Sequence, residues 1–166
     1  SIVGVLEGAR PGSTVLLRAD MDALPLQEDA GLPFRSQVDG AMHACGHDTH
    51  VAMLATAARL LVARREQLAG RVLLMFQPGE EGYHGARVMI DEGLLDRHGP
   101  GGRPVAAYAL HVSATLPTGE LHTRPGSLMA AADAIRVRVT GRGGHASASH
   151  DALDPVPAAA AMVGAL

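Results

Sequence analysis

Short apolar runs alternate along the chain with stretches of helical periodicity, and this alternation limits the folds open to it. Strands are predicted at residues 2–6, 14–18, 72–76 and 105–112, and helices at 48–67 and 86–95. Strands that alternate with helices in this way are typical of a layered α/β domain around a mostly parallel central sheet. In such sheets ligands bind beyond the carboxyl ends of the strands. Several acids and a histidine follow these strand ends, so we expect a functional site there.

The pattern changes after Gly126. Apolar and polar residues alternate over residues 135–139, which predicts a half-exposed strand of an antiparallel sheet. An alanine-rich stretch from Pro155 to Leu166 predicts a helix. We therefore predict a first domain over residues 1–126, and over 127–166 the first strand and helix of a separate α+β domain.

Composition excludes two classes of partner and indicates a compartment. The 166 residues carry a net charge of −3 and only 2% aromatic residues, which argues against nucleic-acid binding. No apolar run is long enough to span a membrane, so no membrane partner is expected. A single cysteine, Cys45, rules out an internal disulfide framework and fits a reducing compartment, so we expect a cytoplasmic protein.

The segment HACGHDTH, residues 43–50, concentrates groups that bind metals. Thiolate, imidazole and carboxylate are the usual donors for zinc and related ions. Gly46 permits a sharp bend between Cys45 and His47, so that a turn entering a helix can aim both side chains at one point. The alternative is a helix start with polar caps and solvated histidines. The acids and the histidine farther along the chain favour the metal site.

Glu80 and Glu81 lie in a loop tightened by a proline and glycines. Adjacent side chains leave the backbone in different directions, so one carboxylate can bind a metal while the other faces a substrate. Metal-assisted hydrolysis needs this division between a ligand and a general base. An exposed acidic loop is the alternative interpretation.

Three further positions are weaker candidates when each is taken alone. His111 ends a predicted strand, where a buried structural histidine would be equally ordinary. Asp20 and Asp22 are two residues apart and would share a face of an extended strand, from which either can orient a metal-binding imidazole. His145 lies in a glycine-rich turn, either as a surface residue or as a hydrogen-bond donor to substrate.

Residues 18–25, 43–50 and 76–82 together resemble the M20 metallopeptidases, most closely the amidohydrolase branch with hippurate hydrolases and N-acyl-amino-acid amidohydrolases. Residues 109–112 and 141–146 extend the match in the same order. The resemblance implies a zinc-exopeptidase-like catalytic domain with two divalent metal ions (Zn, Mn, Co or Ni) and an α+β lid domain that forms a homodimer. By motif position, it implies that the metal ligands are Cys45, His47, Glu81 and His111.

The resemblance also implies the remaining roles. Glu80 would act as the general base, Asp22 would support the metal site, and His145 would contact the substrate. Family members are much longer, which implies a missing beginning and a further histidine ligand beyond residue 166. The family's lid motif usually continues through a Pro-His pair, whereas this chain has Ser149-His150.

The function implied by the resemblance is hydrolysis of the amide bond of small N-acyl amino acids by metal-bound water. Two other classes stay open. A cysteine hydrolase would use Cys45 as its nucleophile with a histidine partner. A non-catalytic domain of the same fold would only bind an acyl amino acid or a partner chain.

Overall fold

The computed structural model describes residues 1–96, 102–131 and 133–165. The chain divides into two compact units, Ser1–Thr118 and Gly119–Leu166. The strands and α-helices in chain order are β1 (Ile2–Glu7), β2 (Arg10–Asp20), α1 (His47–Val62), β3 (Ala69–Gln77), α2 (Gly85–Asp91), β4 (Ala106–Ala109) and α3 (Pro155–Ala165). Among the described residues, no helix has both the length and the apolar character needed to cross a membrane.

The first unit contains a four-stranded mixed sheet in the order β1-β3-β2-β4. Strand β2 runs parallel to both of its neighbours, β3 and β4, whereas β1 pairs antiparallel with β3. The predicted α/β class with a mostly parallel sheet is therefore confirmed. Although only a short turn links β1 to β2, the two strands are not neighbours, because β3 lies between them.

The core lies where helices cover the two central strands. Leu73 of β3 is 1% exposed and packs with Leu16 of β2 and Met89 of α2. A second cluster joins Leu54 of α1 to Ala19 and other residues of the same strands. Strand β3 has a continuous apolar run, which suits a strand that has neighbours on both sides.

The helices differ from the predicted ones mainly at their ends. Helix α1 ends at Val62, and the remainder of the predicted helix is a short 3-10 turn, Arg65–Gln67. Helix α2 ends at Asp91 rather than at residue 95, because the Leu94 N–H turns back to the Met89 carbonyl at 2.9 Å. Helix α3 follows the prediction to Ala165, and Leu166 lies outside the described residues.

The prediction of a buried strand over residues 105–112 is wrong in two respects. Strand β4 covers only Ala106–Ala109, so it ends before His111, and it lies at the sheet edge. Tyr108 is 62% exposed, and among the described residues β4 pairs only with β2. An apolar run does not by itself distinguish an edge strand from a central one.

The strand predicted over residues 135–139 does not form. Ile135 is 77% exposed and Val137 is 59% exposed. A strand needs a hydrogen-bonded neighbour, and alternation of side chains alone supplies none. The helical segments among the described residues of the second unit are a 3-10 segment, Ala146–Asp151, and α3.

Candidate metal centre

The ends of β2, β3 and β4 bring distant parts of the chain to one edge of the sheet. Asp20, the last residue of β2, pairs in register with Gln77, the last residue of β3. Arg18 pairs with Ala109 at the end of β4. Because these strands are parallel, the segments that follow them emerge side by side. Those segments carry Asp22, the Glu80-Glu81 pair and His111, while the turn that enters α1 supplies Cys45 and the first residue of α1 is His47.

The backbone between Cys45 and His47 turns sharply at Gly46. Gly46 has φ of +82°, a left-handed conformation that suits glycine. A Cβ atom added there would lie 2.6 Å from Cγ2 of Val112. The turn therefore brings the Cys45–His47 segment directly against the segment that carries His111.

Three overlapping groups of donor atoms lie here, with the atoms of each group within 4.8 Å of one another. Cys45, His47 and His111 form the first group, and His47, Glu80 and Glu81 form the second. Asp20, His47 and His50 form a third group, which is fully buried. His47 belongs to all three, so it is the residue on which any metal bound here would depend most.

The hydrogen bonds of His47 determine which of its nitrogens faces the other donors. Its Nδ1 lies 3.1 Å from the backbone carbonyl of Asp22 and 3.2 Å from Asp22 Oδ1. A carbonyl can only accept, so Nδ1 carries the proton and Nε2 has a free lone pair. Nε2 is buried without a hydrogen-bond partner, 3.5 Å from Asp20 Oδ2 and 3.9 Å from Glu81 Oε1. A buried acceptor that faces two carboxylates fits a metal ligand.

Asp22 holds two of the candidate groups at once. Its Oδ1 accepts from His47, and its Oδ2 accepts from the backbone N–H of Glu81 at 2.9 Å. Partial burial raises the pKa of Asp22, but backbone N–H donors at Glu81, Glu80 and Asp22 itself, together with the nearby His47, outweigh that effect, so its pKa lies below the usual value. Asp22 is therefore an ionised acceptor. It aligns His47 with the loop that carries Glu80 and Glu81, which we call the glutamate loop.

His111 presents its Nε2 to the thiol of Cys45. Its Nδ1 donates to the carbonyl of Val112 at 2.6 Å, which leaves Nε2 free, 3.4 Å from Cys45 Sγ. Zn–S bonds near 2.3 Å and Zn–N bonds near 2.0 Å in a tetrahedral site place two such donors roughly 3.5 Å apart. The separation of these two atoms therefore fits two ligands of one ion.

Burial raises the pKa of Cys45, and the nearby carboxylates of Glu81, Glu80 and Asp20 raise it further. A cysteine nucleophile requires the opposite shift, toward the thiolate. A divalent cation among these groups would offset their negative charge and favour the thiolate. The electrostatics of the site therefore fit a metal ligand better than a nucleophile.

Sequence reasoning missed the part played by His50. His50 lies one helical turn from His47 on α1 and is 2% exposed. Its Nδ1 lies 2.5 Å from Asp20 Oδ1, and its Nε2 accepts from the backbone N–H of Val112 at 3.0 Å. Both nitrogens are therefore occupied, whereas Nε2 of His47 has no hydrogen-bond partner among the described residues and Nε2 of His111 faces the Cys45 thiol. The i,i+3 spacing from His47, which places both rings on one helix face, was the available signal.

His145 belongs to the second unit. Its Nδ1 accepts from the backbone N–H of Ser147 at 3.2 Å and lies 2.8 Å from the Ser147 hydroxyl. The ring's proton is therefore on Nε2, where it can be donated outward. The predicted substrate contact of His145 stays a prediction.

The glutamate loop depends on close backbone packing at Gly85. A Cβ atom at Gly85 would lie 1.6 Å from the Pro78 carbonyl oxygen, whereas Gly82, with φ of +81°, has nothing within 4 Å of its added Cβ. We expect Gly85→Ala to lower the free energy of unfolding by about 3 kcal/mol or more, because the backbone must move. Gly82→Ala should cost only about 1 kcal/mol, from its backbone conformation. Denaturant unfolding of the full-length protein measures both, and equal losses would contradict this account of the loop.

The family model for peptidase family M20/M25/M40 matches residues 16–165. The chain therefore belongs to this family, and the resemblance expected from the sequence motifs is confirmed.

Relatives that carry three different descriptions match most of this chain. It is 46% identical over 158 residues to thermostable carboxypeptidase 1 of Saccharolobus solfataricus, covering 94% of this chain and 39% of that protein. It is 39% identical over 165 residues to N-acetylcysteine deacetylase of Bacillus subtilis, covering 99% and 42%. It is 46% identical over 149 residues to IAA-amino acid hydrolase ILR1-like 5 of Arabidopsis thaliana, covering 90% and 33%. The chain thus spans only about two fifths of such relatives.

Solved structures agree with the fold. A crystal structure from methicillin-resistant Staphylococcus aureus superimposes with a TM-score of 0.81 at 36% identity, covering 98% of this chain and 42% of that one. The YXEP protein of Bacillus subtilis, described as a dinuclear metal-binding peptidase of the M20 family, gives a TM-score of 0.64 at 43% identity, covering 69% and 30%.

Proposed function

We propose that the full-length protein hydrolyses the amide bond of N-acyl amino acids at a centre of two divalent metal ions. The observation that carries this proposal is the convergence of Cys45, His47 and His111 beside the Glu80-Glu81 pair. The names of the relatives support the substrate class, since a deacetylase of N-acetylcysteine and a hydrolase of IAA-amino acids both describe an acyl group joined to an amino acid. Hippurate-like compounds belong to the same class.

In this proposal the four metal ligands from this chain are Cys45, His47, Glu81 and His111. Divalent ions held there would lower the pKa of a water molecule and polarise the substrate carbonyl. The ions would be Zn, Mn, Co or Ni, and the Cys45 thiolate favours the softer of them. The orphaned Nε2 of buried His47 supports the ligand set from the structural side.

Glu80 is the general base in this scheme. It is exposed, whereas Glu81 is partly buried and lies nearer to His47. A carboxylate at the edge of the centre can accept a proton from attacking water and return it to the leaving amine. Asp22 would keep His47 in the tautomer that leaves Nε2 free, and the outward Nε2–H of His145 would donate to the substrate carbonyl or carboxylate.

We also propose that residues 1–126 belong to the catalytic domain and that residues 127–166, which lie within the second unit, begin the lid through which the full-length protein forms a homodimer. A thiol ligand is best preserved where thiols stay reduced, which supports a cytoplasmic location.

The cysteine-hydrolase alternative has one observation in its favour, the 3.4 Å separation of Cys45 Sγ and His111 Nε2. Chelation separates the two mechanisms. We expect the full-length protein to contain metal by elemental analysis, to hydrolyse members of a set of N-acetyl and N-benzoyl amino acids, to lose activity in chelator and to recover it on adding metal. Turnover that persists after metal removal would contradict the proposal, and binding without turnover would indicate the non-catalytic alternative.

A further inference from the structure

We propose that His50 is a positioning residue that holds His111 in place through the backbone of Val112. The inference rests on the proposed function, because it assigns His50 a role in building that metal centre. His50 binds no metal in this scheme, since Asp20 occupies its Nδ1 and the Val112 N–H occupies its Nε2.

The ring of His111 contacts other candidate groups of the centre: Cys45 Sγ lies 3.4 Å from its Nε2, and the rings of His50 and His47 lie edge-on to it at centroid distances of 4.8 and 5.9 Å. His111 is exposed, and it follows an edge strand that ends at Ala109. The hydrogen bonds that tie this segment to the backbone pass through Val112, whose carbonyl accepts from His111 Nδ1 and whose N–H donates to His50. Val112 also lies against Gly46, in the turn between Cys45 and His47. Val112 is therefore the backbone point at which the two sides of the centre meet, and His50 anchors it.

His50 is itself held by a chain of polar contacts that is buried at Asp20 and partly buried at Arg18. Asp20, fully buried, lies 2.5 Å from His50 Nδ1, and its other oxygen lies 2.8 Å from Arg18 Nη1. Arg18 Nε in turn donates to Gln77 Oε1 at 2.8 Å. Because the Val112 N–H makes His50 Nε2 an acceptor, the ring proton lies on Nδ1 and points to Asp20. The contacts run from the end of β3 through β2 and α1 to the segment that carries His111.

The two aspartates at the end of β2 thus serve opposite sides of the centre. Asp22 aligns His47 and the N–H of Glu81, while Asp20 aligns His111 indirectly through His50 and Val112. Outer partners of metal ligands commonly affect metal affinity in this way.

Two substitutions in the full-length protein distinguish the two hydrogen bonds of His50, because each keeps one bond and removes the other. Asparagine places its amide near the position of Nδ1 and keeps a donor for Asp20, but it does not reach Val112. Glutamine reaches the position of Nε2 and keeps an acceptor for the Val112 N–H, but it gives up the bond to Asp20. His43→Asn is the matched control, because His43 is exposed in the same segment.

Two measurements apply to each variant, besides turnover. Hydrogen–deuterium exchange of the Val112 amide in metal-free protein reports the bond to His50. Cobalt affinity, measured by chelator competition, and the thiolate-to-cobalt absorption band report metal binding by Cys45 and His111. We expect His50→Asn to speed Val112 exchange and to weaken cobalt binding about 10–100-fold, as for loss of an outer partner. We expect His50→Gln to keep slow exchange and most of the affinity while lowering Tm, and His43→Asn to match wild type.

Wild-type exchange and cobalt affinity in His50→Asn would overturn the inference and leave the metal centre standing. The inference would also be overturned if His50→Gln lost cobalt binding while His50→Asn kept it. The role of His50 would then be to satisfy Asp20. Wild-type protein that binds no cobalt would contradict the proposed function itself, and the role assigned to His50 with it.

Discussion

Glu80→Gln in the full-length protein should lower kcat about 10²–10⁴-fold, the usual contribution of a general base. The amide keeps the size and polarity of the side chain but cannot accept the proton. Metal content should stay at the wild-type level, because Glu81 rather than Glu80 lies nearer to His47. Steady-state kinetics with an N-acyl amino acid substrate, together with elemental analysis, provide the check.

Two controls make the result for Glu80 specific. Glu92→Gln, at an exposed glutamate after α2, should leave kcat unchanged. Glu81→Gln should lose metal along with activity. Near-normal turnover in Glu80→Gln would show that another group takes the proton.

His47→Gln should abolish stable metal binding and, with it, activity. His47 is common to all three donor groups, and its Nε2 is the buried acceptor that a cation would satisfy. The loss should exceed the roughly 10–100-fold expected for an outer partner such as His50, because a direct donor is removed. Equilibrium dialysis against zinc or cobalt, with Tm of the metal-free protein, separates this loss from unfolding.

His43→Gln is the matched control for His47→Gln. His43 lies in the same segment, but it is exposed and belongs to none of the three donor groups formed by the described residues. It should bind metal as wild type does. Metal binding that survives in His47→Gln would contradict the central position assigned to His47.

Much of the first unit could be predicted from local pattern. The continuous apolar run around Leu73 predicted a buried strand, and helical spacing from residue 48 predicted α1, because both signals reflect which faces of an element are buried. Strand neighbours were harder, since β1 pairs with β3 across a distance in sequence that no local signal records. The alternation near Ile135 was misleading, because the pattern describes a strand but not the partner it needs.

Residue chemistry alone predicted the candidate donors, since a thiol, imidazoles and paired carboxylates that follow strand ends on a parallel sheet must emerge near one another. Tertiary structure alone decided which histidine has a nitrogen free for a metal ion and which histidine holds the backbone. His47 and His50 are both buried histidines on one face of α1, yet His47 keeps a free Nε2 and His50 does not. The difference is made by the backbone N–H of Val112, sixty-two positions from His50 in the sequence. A lone pair is free or occupied according to what packs against it, and that contact exists only once the chain has folded.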